Sequence, residues 1–180
     1  MGLAVVALLV ACGPTPGAAR GLPTAEQASV SLFRHRWVWR DEQGETVALS
    51  RWRGEPLVVA TIYTSCSTVC PRTIHKLRKV YDAFRRKGRA AQFVLVTLDP
   101  DADSPERLRA YKEAEALPQT WHLLTGSTAD TRALTELLDV HLIDMGSHIF
   151  HESKIFVFDA RGMLARSFVD LDFDDEASVL

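Results

Sequence analysis

Leu57-Val58-Val59-Ala60-Thr61-Ile62-Tyr63-Thr64-Ser65-Cys66-Ser67-Thr68-Val69-Cys70-Pro71 begins as an apolar, β-branched run and breaks into small polar residues around two cysteines. Leu57 to Tyr63 shows no polar alternation, which predicts a central strand covered on both faces. From Pro71 to Lys87 the apolar residues Ile74, Leu77, Val80, Tyr81 and Phe84 recur at helical spacing, and Gly88 ends the pattern. Cys66 therefore falls just past the carboxyl end of a central strand, and Cys70-Pro71 opens the next helix. Ligands of open α/β sheets bind at such strand ends.

The flanking sequence supplies the rest of the sheet. Upstream, Trp37 to Trp39 and Thr46 to Leu49 predict a hairpin closed by a turn containing Gly44. Downstream, Ala91 to Leu98 predicts a second buried strand. Ser104-Pro105-Glu106 opens a helix with a cap residue, a proline at the first helical position and an acidic first turn. A short strand follows, and Ser127 caps a helix running through Leu138. Lys154–Phe158 and Met163–Val169 form a hairpin around Asp159-Ala160-Arg161-Gly162, with a terminal helix starting at Asp174. This order predicts an α/β, thioredoxin-like sandwich over residues 31–180: a central mixed β-sheet flanked by helices, with an extra N-terminal β-hairpin.

The chain has 180 residues, 47% hydrophobic and 24% charged, which suits one globular domain and a short tail. A formal net charge of -2 gives no electrostatic case for nucleic acid, and no apolar run reaches the roughly 18 residues of a spanning helix. Leu3 to Ala11 is shorter, stops at Cys12 and fits the apolar region of an export signal, although Met1-Gly2 lacks the usual basic residues. Leu9-Val10-Ala11-Cys12 resembles a bacterial lipobox. That resemblance implies a signal peptide at 1–11, a lipidated Cys12, and an extracytoplasmic protein anchored to a membrane without spanning it. Residues 12–30, rich in Gly, Pro, Ala and Thr, are expected to form a flexible tether.

A core is attainable at this size without disulfides, so the remaining cysteine pair asks for its own explanation. With both residues helical, a separation of four puts their Cα atoms about 6 Å apart on one face, within the range of a disulfide. A helix N-terminus also favours the thiolate, which is both the nucleophile of disulfide exchange and a soft metal ligand. Among the six histidines, His151 immediately precedes a strand and His148 lies three residues earlier. His75 is nine residues after Cys66 and points elsewhere on a helix; His35 lies between two arginines; His122 and His141 border secondary elements. The residues alone leave three readings open: a copper site, a redox pair needing no histidine, and a closed structural zinc site from Cys66, Cys70, His148 and His151. No peroxidase-type Pro-x-x-x-Thr-x-x-Cys pattern surrounds Cys66.

Tyr63 to Pro71 resembles the signature of the Sco/SenC family of copper chaperones. The similarity continues in order through Thr97–Pro105, Trp121–Gly126 and His151–Asp159, covering about residues 31 to 173. The resemblance implies that Cys66, Cys70 and His151 are the metal ligands for Cu(I) or Cu(II), with Cys66 and Cys70 also a redox pair that forms a disulfide when oxidised. It implies delivery of copper to the binuclear copper centre of cytochrome c oxidase, or reduction of that centre's cysteines. The expected partners are that oxidase subunit and a copper donor or thiol reductase. It also places Asp99 at a strand end near the site. Ser67 stands where many members have proline, and the unusual spacing before His151 leaves His148 as a competing ligand.

Overall fold

The computed structural model describes residues 30–145 and 149–180. The expected signal peptide, the tether up to residue 29, Cys12 and His148 lie outside them.

Nine strands and three α-helices follow one another along the described chain. In sequence they are β1 (Trp39–Asp41), β2 (Thr46–Val47), β3 (Leu57–Ile62), α1 (Val69–Arg86), β4 (Gln92–Thr97), α2 (Pro105–Ala114) and β5 (Trp121–Thr125). There follow α3 (Thr128–Leu137), β6 (Leu142–Asp144), β7 (Ile149–His151), β8 (Lys154–Phe158) and β9 (Leu164–Val169). Seven strands form one mixed sheet in the order β2-β1-β5-β4-β3-β8-β9, and β6 pairs with β7 as a separate ribbon. The expected α/β sandwich is present, with the N-terminal hairpin extending one edge.

β3 is buried along its whole length and runs parallel to β4 and antiparallel to β8. Its alternate residues feed two cores, as a period of two requires. Val58, Ala60 and Ile62 pack with Ile74, Leu77, Val80 and Phe84 of α1 and Leu108 of α2. Leu57 and Val59 pack on the other face with Trp39, Leu134 and Leu138. Burying each such large side chain contributes about 1.5–3 kcal/mol relative to exposure, so the two layers hold β3 firmly and fix where its carboxyl end emerges.

The helix caps follow the sequence reading. Ser104 Oγ accepts from Arg107 N–H at 3.3 Å, and Ser127 Oγ accepts from Asp130 N–H at 3.0 Å. Gly88, at φ +62°, takes the left-handed conformation that closes α1. Differences occur at three places. The N-terminal hairpin is shorter than expected, because Leu49–Trp52 form a 3₁₀ turn that buries Leu49 and Trp52. The terminal helix is a single 3₁₀ turn, Asp175–Ser178, capped by Asp174. Cys66 is not helical: it lies in the loop between β3 and α1, and only Cys70 enters the helix.

Candidate metal centre

Cys66 and Cys70 are placed by the β3–α1 junction. The Cys66 N–H donates to the Tyr63 carbonyl at 3.1 Å, turning the chain back over the strand end. The Cys70 N–H then donates to Cys66 Sγ at 3.3 Å. Both thiols are free and buried, Cys66 at 6% exposure and Cys70 at 0%.

Burial pushes both thiols up, yet they diverge. At Cys66 the N–H groups of Cys70, Thr68 and Val69 outweigh burial and bring the thiol below its ordinary range. At Cys70 burial dominates, the neighbouring Cys66 adds to it, and the thiol is raised strongly. The first cysteine is thus the readier thiolate and the second the reluctant one.

The imidazole comes from the β6–β7 ribbon, which the sequence reading did not find. His151 ends β7, with Nε2 4.0 Å from Cys70 Sγ. Its Nδ1 lies 3.1 Å from the Glu152 carbonyl, an acceptor only, so the proton belongs on Nδ1 and the Nε2 lone pair faces the sulfurs. Ligand atoms of Cys66, Cys70 and His151 all lie within 4.8 Å of one another. Two soft sulfurs and one imidazole nitrogen, with no carboxylate in the group, form a donor set suited to Cu(I) and tolerant of Cu(II).

The surrounding residues hold this triad together. Tyr63, three residues before Cys66, donates from its hydroxyl to the Ile149 carbonyl at 3.1 Å, and its ring meets the His151 ring edge-on at 5.9 Å. Burial first, then Cys66, pushes the Tyr63 hydroxyl up to about 12, so it stays a donor at physiological pH. Thr73 of α1 donates to the Val69 carbonyl at 3.2 Å and reaches Ser153 Oγ at 3.5 Å, a second link toward the histidine segment.

Behind the loop, Asp103 is buried at 1% exposure. It accepts from the Thr64 N–H at 3.0 Å and from the hydroxyls of Thr64 and Thr97. Arg107 Nε lies 3.7 Å from it and donates to Thr64 Oγ1 at 2.8 Å.

Sequence reasoning named the three ligand candidates and missed Tyr63 and Asp103 as their supports. It named Asp99 instead, which is a turn-former: its carbonyl accepts from Asp103 N–H at 2.8 Å and its carboxylate from Ala102 N–H at 3.3 Å. His75 is exposed on α1 as expected. His35 stacks on Trp37 at 4.3 Å, His122 pairs with Gln92 at 3.1 Å, and His141 is exposed beside Asp139 and Glu152.

A model of the SCO1/SenC family matches residues 25–179. A SCO2-like protein of Rickettsia prowazekii is 24% identical over 135 residues, 71% of this chain and 65% of that protein, so the chain spans a little under two thirds of its relative. Among solved structures, Arabidopsis thaliana ScoI with copper bound superposes with a TM-score of 0.73 at 15% identity, covering 83% of this chain and 94% of that one. A SCO1/SenC family lipoprotein of Bacillus anthracis gives 0.68 at 23%, covering 74% and 82%. BsSco, described as a member of the Sco family of cytochrome c oxidase assembly proteins, gives 0.68 at 18%, covering 79% and 86%. At these identities the superpositions establish a shared fold.

Proposed function

This chain belongs to the SCO1/SenC family, and from that membership together with the Cys66–Cys70–His151 cluster we propose that it is a copper-carrying protein of cytochrome c oxidase assembly. The observation that supports this most strongly is convergence: three residues spread over 86 positions present two sulfurs and one nitrogen within 4.8 Å. Copper is the cargo. Cys66 and Cys70 supply thiolate sulfurs, and His151 supplies Nε2 while its Nδ1–H donates to the Glu152 carbonyl. Three donors leave the ion open to an incoming ligand, as a carrier requires and a closed four-ligand structural site does not. A 66–70 disulfide withdraws both sulfurs, so the thiols must be reduced for loading.

The recipient in this reading is the binuclear copper centre of the oxidase, and the chain is anchored outside the cytoplasm through lipid on Cys12. The lipobox-like Leu9–Cys12 supports the anchor, as does a lipoprotein among the family structures. Among the described residues no helix is long and apolar enough to cross a membrane.

The unequal thiols favour a second activity of the same pair. Cys66 thiolate attacks a disulfide of the partner to give a mixed disulfide and one partner thiolate. Cys70 then loses its proton and attacks Cys66 sulfur, releasing the second partner thiolate and leaving a 66–70 disulfide. Two electrons pass to the partner, whose cysteines are then ready for metal.

Copper titration of the reduced domain, residues 27–180, tests the assignment. Stoichiometric binding that collapses in His151→Ala supports the carrier; binding indifferent to His151 leaves thiol–disulfide exchange as the activity.

A further inference from the structure

The end of the sheet opposite the metal centre is basic. β3 starts at Leu57, paired with Gln92 of β4 and Phe158 of β8. Three segments therefore meet there: residues 51–56 leading into β3, residues 85–91 after α1, and the turn 159–162. The first described residues join them, with Leu164 N–H donating to the Val30 carbonyl and Leu32 N–H to the Gly162 carbonyl. Gly162, at φ +75°, lies so close beneath Phe33 that a Cβ would come within 2.4 Å of the ring.

Arg34, Arg51, Arg53 and Arg85 are exposed at this end, and none of them forms an ion pair among the described residues. Three are instead laid over aromatic rings: Arg51 over Trp52 at 5.6 Å, Arg53 over Phe33 at 5.0 Å and Arg85 over Tyr81 at 5.8 Å. Such contacts fix a guanidinium without neutralising it. Of the nearby carboxylates, Asp159 pairs with Arg161 and Glu176 with Arg86 and Lys87. Glu55 accepts from the neutral Gln92 amide and Asp82 is exposed on α1, so the four arginines and Arg89 still leave this end positive. At the Cys66 end the sign reverses. Asp99 and Asp101 follow β4, and Asp170 and Asp172 follow β9, whose Val169 pairs with Lys154 at the start of β8.

We propose that this arginine end docks on anionic phospholipid headgroups and turns the copper site away from the membrane. The inference rests on the anchored reading above, because Cys12 joins the domain through residues 13–29, which enter at Val30, on the basic end. An anionic surface would attract that end and repel the acidic one, giving the tethered domain a preferred orientation. β3 alone separates the two ends by about 20 Å, so the metal centre would face a partner approaching from the aqueous side.

The test uses residues 12–180 with Cys12→Ser, which lacks lipid and retains every described strand and both cores. The protein is sedimented with vesicles of phosphatidylcholine, with and without phosphatidylglycerol. Binding is expected only with phosphatidylglycerol, and added salt should release it. Replacing Arg34, Arg51, Arg53 and Arg85 by Gln should weaken partition by about 100- to 1,000-fold, while the four Arg→Lys changes should retain it. Equal sedimentation on both vesicles, or binding that survives the Gln variant, overturns the proposal. So does direct binding of polyglutamate with no binding to either vesicle, which would indicate an acidic protein as the partner. Because the chain is unlipidated, these outcomes do not depend on the anchor; loss of the full chain from membranes on Cys12→Ser tests that separately.

Discussion

The Tyr63 hydroxyl donates to the Ile149 carbonyl at 3.1 Å. Tyr63 stands three residues before Cys66 and Ile149 two before His151, so one hydrogen bond ties the thiol loop to the imidazole ribbon. The two halves of the proposed site belong to elements that share no strand pairing, and side chains must hold them in register.

Tyr63→Phe removes that bond and keeps the ring. A neutral hydrogen bond is worth about 1 kcal/mol, so copper affinity should fall by about fivefold with little change in melting temperature. Amide exchange in the β6–β7 ribbon should accelerate in the same variant. Unchanged exchange there would show that the ribbon is held by other contacts.

Asp103→Asn exchanges a buried charged acceptor for an amide whose N–H₂ faces donors. The cost should be about 1–3 kcal/mol, read as a lower denaturation midpoint, with faster alkylation of Cys66 as the Thr64 loop loosens. Asp99→Asn, whose carboxylate accepts from the Ala102 N–H rather than from Thr64, should leave that alkylation rate as it is.

The two thiols should titrate apart. With Cys66 held below its ordinary range and Cys70 above it, limiting iodoacetamide near neutral pH should label Cys66 first. The linkage has opposite signs. Ionised Cys66 stabilises the native state fully above the ordinary thiol range and loses that contribution as pH falls through its depressed native pKa. Cys70 stabilises it below the ordinary thiol range and loses that contribution as pH rises toward its raised native value. Cys70→Ser should therefore lessen the loss of stability at alkaline pH, which thermal melts across pH would reveal.

Glu42 and Lys112 form a buried ion pair at 2.5 Å, and Glu42 also accepts from the Leu123 N–H at 3.0 Å. The pair joins the N-terminal hairpin to α2 and β5, far from the thiols in the chain. Glu42→Ala strands the lysine and should cost about 3–5 kcal/mol, a fall of about 10 °C in melting temperature. Copper stoichiometry of the folded variant should be unchanged.

Legibility in the sequence tracked the range of the forces involved. Local signals were plain: the unbroken apolar run of β3, the spacing of Ile74, Leu77, Val80 and Phe84, and the caps Ser104 and Ser127 all correspond to the structure. The ribbon that presents His151 was not legible, because strands of three residues show no period and Ile143 and Phe150 on it remain exposed. Tyr63 read as the end of a strand and Asp103 carried no signal of its own, since their partners lie 86 and 39 positions away. Cys66 falls just past the strand end, as its position in the sequence indicates; its loop geometry follows from the backbone turn to the Tyr63 carbonyl, which spacing alone does not encode.

X-ray absorption at the copper edge of the reduced, copper-loaded protein tests the central claim most directly. Two sulfur scatterers and one imidazole nitrogen are expected, with the imidazole signal lost in His151→Ala and one sulfur lost in either Cys66→Ser or Cys70→Ser. An imidazole signal that persists without His151, or a shell containing no sulfur, would contradict the Cys66–Cys70–His151 site.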